Sequence, residues 1–467
     1  MRRVADRSGV ASSSRSSRPG ARLRRRGASF VPLLAALVVA ASGARAATEA
    51  KIVPADGAAG DAFGFSVAIS GDTVAIGARA DGDKGFAAGS ACFYALSAGT
   101  WTLQSKVTAL DGAFADAFGF SIALDADTAV VGASLEDAVG SNSGSAYVFT
   151  RTAGTWSQQQ KLVAADAAAG DQAGFSVAVS GDTAVVGAFA DDDAGTSSGS
   201  AYVFVRSGAT WTQQQKLVAA DAGAGDEFGC AVAISGDTIV VGARGDDDAG
   251  SAAGAAYVFT RSGSTWTQQQ KLLASDGAAG DELGYAVGVD GDSAIVGAWH
   301  ADIAGGPDAG AAYVFVRSVG AWSEQDKLVA SDRTSFDNAG VAVAIDGDVA
   351  IVGASGEDHA GVDIGSNAGA AYVFTRSGGS FTEQEKLTAS DSMTDDTFGG
   401  AVSVSGGLAI AGAQGDDDAG SNSGSAYVYG VGAPAAVPAL PHGGAVLGLA
   451  ACLVAAGWRA LRVRRGA

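Results

Sequence analysis

Seven times between Phe63 and Gly412 the chain writes one phrase: a Phe-Gly-like dipeptide, an alternating apolar run, a Gly-Asp turn, and a second apolar run ending in Gly-Ala. The glycine of the dipeptide falls at Gly64, Gly119, Gly174, Gly229, Gly284, Gly340 and Gly399, giving spacings of 55, 55, 55, 55, 56 and 59 residues. In the third copy, Gly174-Phe-Ser-Val-Ala-Val-Ser leads to Gly181-Asp182 and then to Thr183-Ala-Val-Val-Gly-Ala. An acidic loop from Asp191, the run Ser200-Ala-Tyr-Val-Phe-Val and the run Trp211-Thr-Gln-Gln-Gln-Lys-Leu-Val-Ala complete the unit. The runs are short, β-branched or aromatic, and bounded by Gly, Ser or Asp, and none has a helical period, so each unit predicts four antiparallel strands. Four strands at this period make a propeller blade, and seven copies make an all-β, seven-bladed propeller.

The two ends of the repeat test that reading. The seventh copy stops after Ser425-Ala-Tyr-Val-Tyr429 and lacks a fourth strand, whereas Lys51-Ile52-Val53-Pro54-Ala55-Asp56 stands alone before the first copy and matches Lys161-Leu-Val-Ala-Ala-Asp166. The N-terminal segment is therefore expected to supply the outer strand of blade seven, closing the ring and removing an exposed join.

These motifs resemble the FG-GAP repeats of integrin α-subunit propellers and, more closely, the shorter bacterial FG-GAP repeats of exported proteins. The resemblance runs from residue 51 to about 430 and implies a non-enzymatic binding or adhesion module. Two departures matter. The Phe is kept at Phe63, Phe118, Phe228 and Phe398 but becomes Ala173, Leu283 and Ala339, and no copy has the Pro of Gly-Ala-Pro. Integrin repeats carry a long Asp-rich calcium loop between the first two strands. Here that loop has shrunk to turns such as Gly71-Asp72 and Gly236-Asp237, too short to wrap a calcium ion, so those sites are not inherited.

The acids gather elsewhere. In an up-and-down blade the loop between strands two and three lies at the same end of the ring as the linker into the next blade. The first carries Asp191-Asp192-Asp193, Asp246-Asp247-Asp248 and Asp416-Asp417-Asp418, with Glu136-Asp137 and Glu357-Asp358 in other blades. The second carries pairs such as Asp166 and Asp171, Asp221 and Asp226, Asp276 and Asp281. One face is expected to be anionic, and Asp191, Asp193, Asp246, Asp248, Asp416 and Asp418 are candidate ligands for Ca2+, set against the alternative of solvated acidic turns. The opposite end carries Arg151, Arg206, Arg261, Arg317 and Arg376 beside the Gly-Asp turns.

The whole chain has a net charge of −20, but its two ends are basic; residues 47–441 hold 16 basic and 49 acidic residues, a net of −33. That field repels nucleic acid and anionic lipid, leaving cations or a protein or glycan partner on a cell surface. Residues 1–46 read as a signal peptide: Arg22 to Arg26, an apolar run from Phe30 to Ala41, then Ala44-Arg45-Ala46. Ordinary secretion is preferred to a twin-arginine route, which rests only on Arg24-Arg25-Arg26 with Phe30. The propeller spans 47–433, a Pro-containing linker 434–442, an apolar membrane helix 443–458 and a basic cytoplasmic tail 459–467. That tail also resembles the C-terminal sorting tails of bacterial exported proteins. A permanent anchor and a processed, released form both fit, and either places the protein at the cell envelope or surface.

No catalytic set emerges. The histidines are His300, His359 and His442, no nucleophile sits in a distinctive motif, and Cys92 and Cys230 fall on distant blades where no disulfide can form. His300 and His359 lie in equivalent loops and read as solvated. Arg244-Gly245-Asp246 spells an integrin-recognition tripeptide in an expected exposed loop, although Gln414 replaces its Arg in blade seven. Trp101, Trp156, Trp211, Trp266 and Trp322, with Phe381, are expected to cover the seams between blades rather than bind sugar. Two rivals remain: a self-associating surface-layer component, and a hydrolase or lyase with a unique residue set at the ring centre. The expected uniform Ala, Ser and Gly of that centre argue against the second.

Overall fold

A computed structural model describes residues 49–304, 306–358 and 367–432. The expected signal peptide, linker, membrane helix, basic tail, His359 and His442 lie outside them. Among the described residues no helix is long and apolar enough to cross a membrane.

The described chain forms seven four-stranded antiparallel sheets, each a blade, and in six of them the strands follow chain order from the axis outward. Blade three shows the pattern: Ser176–Ser180, Thr183–Ala188, Ser200–Ser207 and Thr210–Leu217. Its second strand, Thr-Ala-Val-Val-Gly-Ala, is buried along its whole length because neighbouring blades cover both faces, which is why it reads as a continuous apolar run. The pairing of Ser180 with Thr183 leaves Gly181-Asp182 as a two-residue turn, as expected.

Blade seven takes Ala401–Ser405, Leu408–Ala413 and Ser425–Gly430 from the C-terminal end and Ala50–Ile52 from the N-terminal end. The closing register is Ala50 with Val428, Lys51 with Tyr427 and Ile52 with Ala426. Glu49 adds a clasp, accepting hydrogen bonds from the Ser390 N–H at 3.1 Å and its hydroxyl at 2.7 Å.

The Phe-Gly and Gly-Ala motifs exist because adjacent blades touch through backbone. Gly119 has φ +89°, and a Cβ there would stand 2.4 Å from the Ser90 carbonyl oxygen of the preceding blade. A Cβ on Gly77 would stand 2.2 Å from the Gly119 oxygen. Gly119→Ala combines the left-handed backbone penalty with a backbone clash, and about 2–3 kcal/mol of destabilisation is expected. Gly99→Ala, at φ +80° in open space, is expected to lose only about 1 kcal/mol. Urea melts of the two variants check this contrast; equal losses would mean that the blade contact carries no weight.

Three further rings of contacts join the blades. At the turn end, a Ser or Asp of each blade accepts a backbone N–H of the next, as in Gly181 to Asp125 (2.6 Å) and Gly236 to Ser180 (3.3 Å), and the ring closes with Gly71 to Ser405 (3.3 Å). Arg206 reaches back from Asp182 of its own blade to the Thr128 hydroxyl (2.9 Å) of the preceding one, and Arg151, Arg261 and Arg317 repeat this on Thr73, Thr183 and Thr238. On the outer strand, the Gln-Gln-Gln run staples three ways. Gln213 accepts the Ala165 N–H of the linker before its blade, Gln214 accepts the Trp266 indole of the next blade, and Gln215 bonds that tryptophan's backbone through both amide atoms. Trp156, Trp211, Trp266 and Trp322 are thus buried seam residues, as expected, while Trp101 is only partly buried; Trp156 stacks on Phe93 of the previous blade with centroids 4.2 Å apart.

Candidate functional site: the loop face and the axial mouth

The candidate calcium ligands do converge, but around a lysine. Lys216, near the end of the outer strand of blade three, is bonded to Asp166 of the linker at 2.9 Å, to Asp191 at 2.8 Å and to Asp193 of the acidic loop. Lys271 holds Asp221, Asp246 and Asp248 at 3.0, 2.7 and 2.6 Å, and Lys51 holds Asp391, Asp416 and Asp418. Lys106 repeats the cage with Asp56, Asp81 and Asp83. Lys161 and Lys386 hold two acids each, and Lys327, whose blade carries Ala301 in the first loop position, holds Asp276 alone among the described residues. The middle Asp turns away: Asp192 and Asp417 accept the N–H of Ser197 and Asn422 within their own loops.

Asp221, Asp246 and Asp248, and likewise Asp391, Asp416 and Asp418, bring three carboxylate oxygens within 4.8 Å of one another, close enough to hold a metal ion. Calcium asks for about six to eight oxygens, so each cluster offers part of a shell, and an ammonium already bonds to all three. Burial alone would raise the Asp191 carboxyl, but Lys216, the Tyr202 hydroxyl and the Asp193 N–H outweigh it and hold it below the usual range. Asp416 behaves the same way with Lys51, Asp418 and Tyr427. Burial pulls Lys216 down, and its three carboxylates more than reverse that.

The second acid of each linker has a different task. Asp171 is buried and accepts the Ala168 N–H at 2.7 Å, pinning a tight turn. Burial pushes its carboxyl up, as it does for Asp61, Asp116, Asp226, Asp281 and Asp337, and for Asp396 to about 6.

A pH profile follows with its sign. The raised linker carboxyls favour folding increasingly as pH falls from about 6 toward the ordinary value of 3.8. The lowered, lysine-bound carboxyls contribute stability above 3.8 and lose it below. The raised lysines contribute fully below 10.5 and lose it as pH rises beyond. The thermal midpoint is expected to be highest near pH 5, above its value at pH 7, with collapse below about pH 4 and decline above about pH 10.5. A midpoint flat from pH 7 to 5 would contradict the linker assignment.

The ring centre departs from expectation. Uniform small residues were predicted there, yet the axial positions after Phe-Gly are Phe65, Phe120, Phe175, Cys230, Tyr285, Val341 and Gly400, every one of which except Val341 and Gly400 is large or reactive. The reason is a β-bulge. Phe63 pairs with Ala78 and Ser66 with Gly77, so Gly64 and Phe65 are left unmatched and drop out of the continuous ladder that a count from sequence assumes. These residues, with Arg244, Thr397 and Gln414, line a cavity of about 260 Å³. Their rings form a continuous arc: Phe65 to Phe120 at 5.0 Å, Phe120 to Phe175 at 4.8 Å and Phe175 to Phe189 at 4.4 Å. The arc resumes with Tyr285 to Trp299 at 4.6 Å and Trp299 stacked on His300 at 3.7 Å.

At the mouth, blades four and five bring together charged and aromatic groups at positions that vary from blade to blade. Arg244 is ion-paired with Glu227 and lies 5.4 Å from the Tyr285 centroid. The Trp299 indole donates to Glu282 at 2.8 Å, and His300 Nδ1 stands 3.5 Å from the same carboxylate. Glu227, Arg244, Asp247, Glu282 and Trp299 line a polar hollow of about 400 Å³. The Arg244-Gly245-Asp246 tripeptide is therefore not displayed as expected. Its Arg is half-buried in an ion pair, its Asp is 2% exposed in the Lys271 cage, and a Cβ on Gly245 would meet the Gly225 oxygen. Cys92 and Cys230 are both buried and free.

Two functional features escaped the sequence reading, the caging lysines and the aromatic arc. The first left a signal: a lysine recurs in every copy, 25 residues after the first loop acid in blade three. The second left none that survives an unseen bulge.

No curated protein matches the chain. A family model of the FG-GAP repeat matches residues 47–94, 101–149, 156–204, 211–259, 266–315, 322–374 and 381–429. Each match from the second onward starts on the outer strand of one blade and ends in the third strand of the next, the phase offset that lets a terminal strand close the ring. With these matches covering most of its length, the chain belongs to the FG-GAP repeat family.

Proposed function

We propose that this chain is an exported, envelope-associated FG-GAP propeller that acts as a non-enzymatic binding module, meeting a protein or glycan of a cell surface with its loop face. One observation carries the reading. The charges repeated from blade to blade are largely consumed internally, whereas Glu227, Arg244, Glu282, Trp299 and His300, at positions whose residue varies among the blades, collect at one mouth of the ring. A scaffold that satisfies its common charges and varies one rim is built to present that rim. Calcium enters this reading only by displacing a lysine from its cage.

The test is binding of the purified full-length chain to whole cells and to a glycan array, beside Trp299→Ala and Arg244→Ala. Binding that drops at least tenfold in both variants, with unfolding midpoints kept within about 2 °C, supports the reading. Undiminished binding, or none at all, overturns it. Export is checked separately by fractionating cells that express the chain with and without residues 1–46; retention of both in the cytoplasm contradicts it.

Self-association has one observation of its own. Phe86 and Phe114 stand 73% and 71% exposed with centroids 5.6 Å apart, and Leu110 beside Phe114 in sequence is exposed as well. A chain that sediments as a concentration-dependent oligomer, and as a monomer with Phe86→Ser and Phe114→Ser, would favour the surface-layer alternative.

A further inference from the structure

We propose that the axial cavity is a binding site for a small organic carboxylate, one anionic group on an aromatic or alkyl body, with Arg79 as its charge anchor. This goes beyond the loop-face reading and does not depend on it.

In this acid-rich domain the repeated lysines and arginines have carboxylate partners, and Arg244 has Glu227. Among the described residues Arg79 has none, although it is half-buried, and its Nε is enclosed without a hydrogen-bond partner. An enclosed guanidinium nitrogen left unpaired is expensive, and such orphans mark places where a missing group belongs. Arg79 stands just outside the lining residues, its guanidinium 4.1 Å from the centroid of Phe65 and 5.9 Å from that of Phe120, both of which line the cavity. It follows Gly-Ala in blade one as Arg244, Ser355 and Gln414 do in theirs, and those three line the cavity. In blade two the same position is Ser134, fully buried, whose hydroxyl also has no partner.

The lining chooses the ligand's sign and shape. No acidic residue lines the cavity, in a chain with 50 acids. Aromatic faces by themselves would welcome a cation, but guanidinium groups already lie over Phe65, Phe189 and Tyr285, so that role is filled and a second cation is repelled. An anion would gain a charge-assisted bond from Arg79, while its apolar body covers Phe120 and Phe175. About 260 Å³ admits a ligand of benzenoid size and excludes a folded partner. At physiological salt the repulsion from distant acids is screened beyond about 8 Å, so the local arginine decides.

The probe is phenylacetate, titrated into the full-length chain by calorimetry and saturation-transfer NMR, with neutral phenylacetamide as its isostere. Phenylacetate is expected to bind one per chain, at least tenfold more tightly than phenylacetamide. Arg79→Gln is expected to remove that preference while leaving the weak phenylacetamide binding in place, and Arg79→Lys to keep most of it. Should Arg79→Gln fail to fold, the comparison of the two probes on the native chain still decides. Equal affinity for the two probes, a preference that survives Arg79→Gln, or no binding of phenylacetate at 10 mM (roughly the weakest useful affinity for so small a ligand) would overturn the proposal.

Discussion

Deleting Glu49 to Val53 is expected to abolish the single unfolding transition of the ring and make the propeller aggregate. The segment is only a short strand, but it carries several terms at once. Ile52 is buried among Phe63, Ile76 and Val428, and its loss alone is worth about 2 kcal/mol. Lys51 leaves Asp391, Asp416 and Asp418 facing one another, and breaking such a pair around the buried Asp416 loses about 3 kcal/mol more. Deletion also bares the Ser425–Gly430 edge, whose tyrosine- and valine-rich sequence is a template for pairing with another chain. Scanning calorimetry with light scattering reads the result. A sharp, reversible transition at the native midpoint would show that the ring does not need its terminal strand.

Lys216→Met is the second large effect, and it separates charge from packing. The methionine keeps the apolar stem beside Tyr202 but removes the ammonium, leaving Asp191, 4% exposed at its side chain, buried beside Asp166 and Asp193 with no counter-charge. The expected loss is about 3 kcal/mol, or roughly 5 °C in the midpoint for a protein of this size. Lys327→Met, whose lysine holds the single acid Asp276 at 56% side-chain exposure, is expected to shift the midpoint by about 1 °C or less. If the two variants melt alike, the cages are surface ornaments and the account of the loop face fails.

The architecture was legible in the chain because it is written locally and repeatedly. Strand period, turn residues and the orphan Lys51-Ile52-Val53 each point to the same closed ring, and the structure bears them out. The contacts between blades were less legible, since a motif names a residue without its neighbour. The Arg206 row read as a basic rim, yet each arginine spans a seam to a hydroxyl. Where that arginine is missing, as Leu96 of blade one and Val431 of blade seven, the preceding blade carries Leu408 and Val349 in place of the threonine. The swap is visible in sequence once the seam is known. Likewise the Asp triplets drew attention as an anion surface, while the lysine that matches them sits on another strand and read as an ordinary outer-strand residue. The axial arc stayed hidden for a different reason: the bulge takes Gly64 and Phe65 out of the ladder, and nothing in the run from Phe63 to Ser70 announces it.

Lysine ammonium groups hold the acidic loops of this propeller together, and the thermal midpoint of the full-length chain in EDTA and then in millimolar calcium or magnesium, with Lys216→Met alongside, separates their contribution from that of a bound metal. The account predicts a native midpoint that moves by less than about 1 °C in every condition, and a variant midpoint that calcium raises because its emptied cage of three carboxylates can now take a cation. A native midpoint that climbs several degrees with calcium but not with magnesium would contradict it, and would return Asp191, Asp193, Asp246, Asp248, Asp416 and Asp418 to the role of metal ligands.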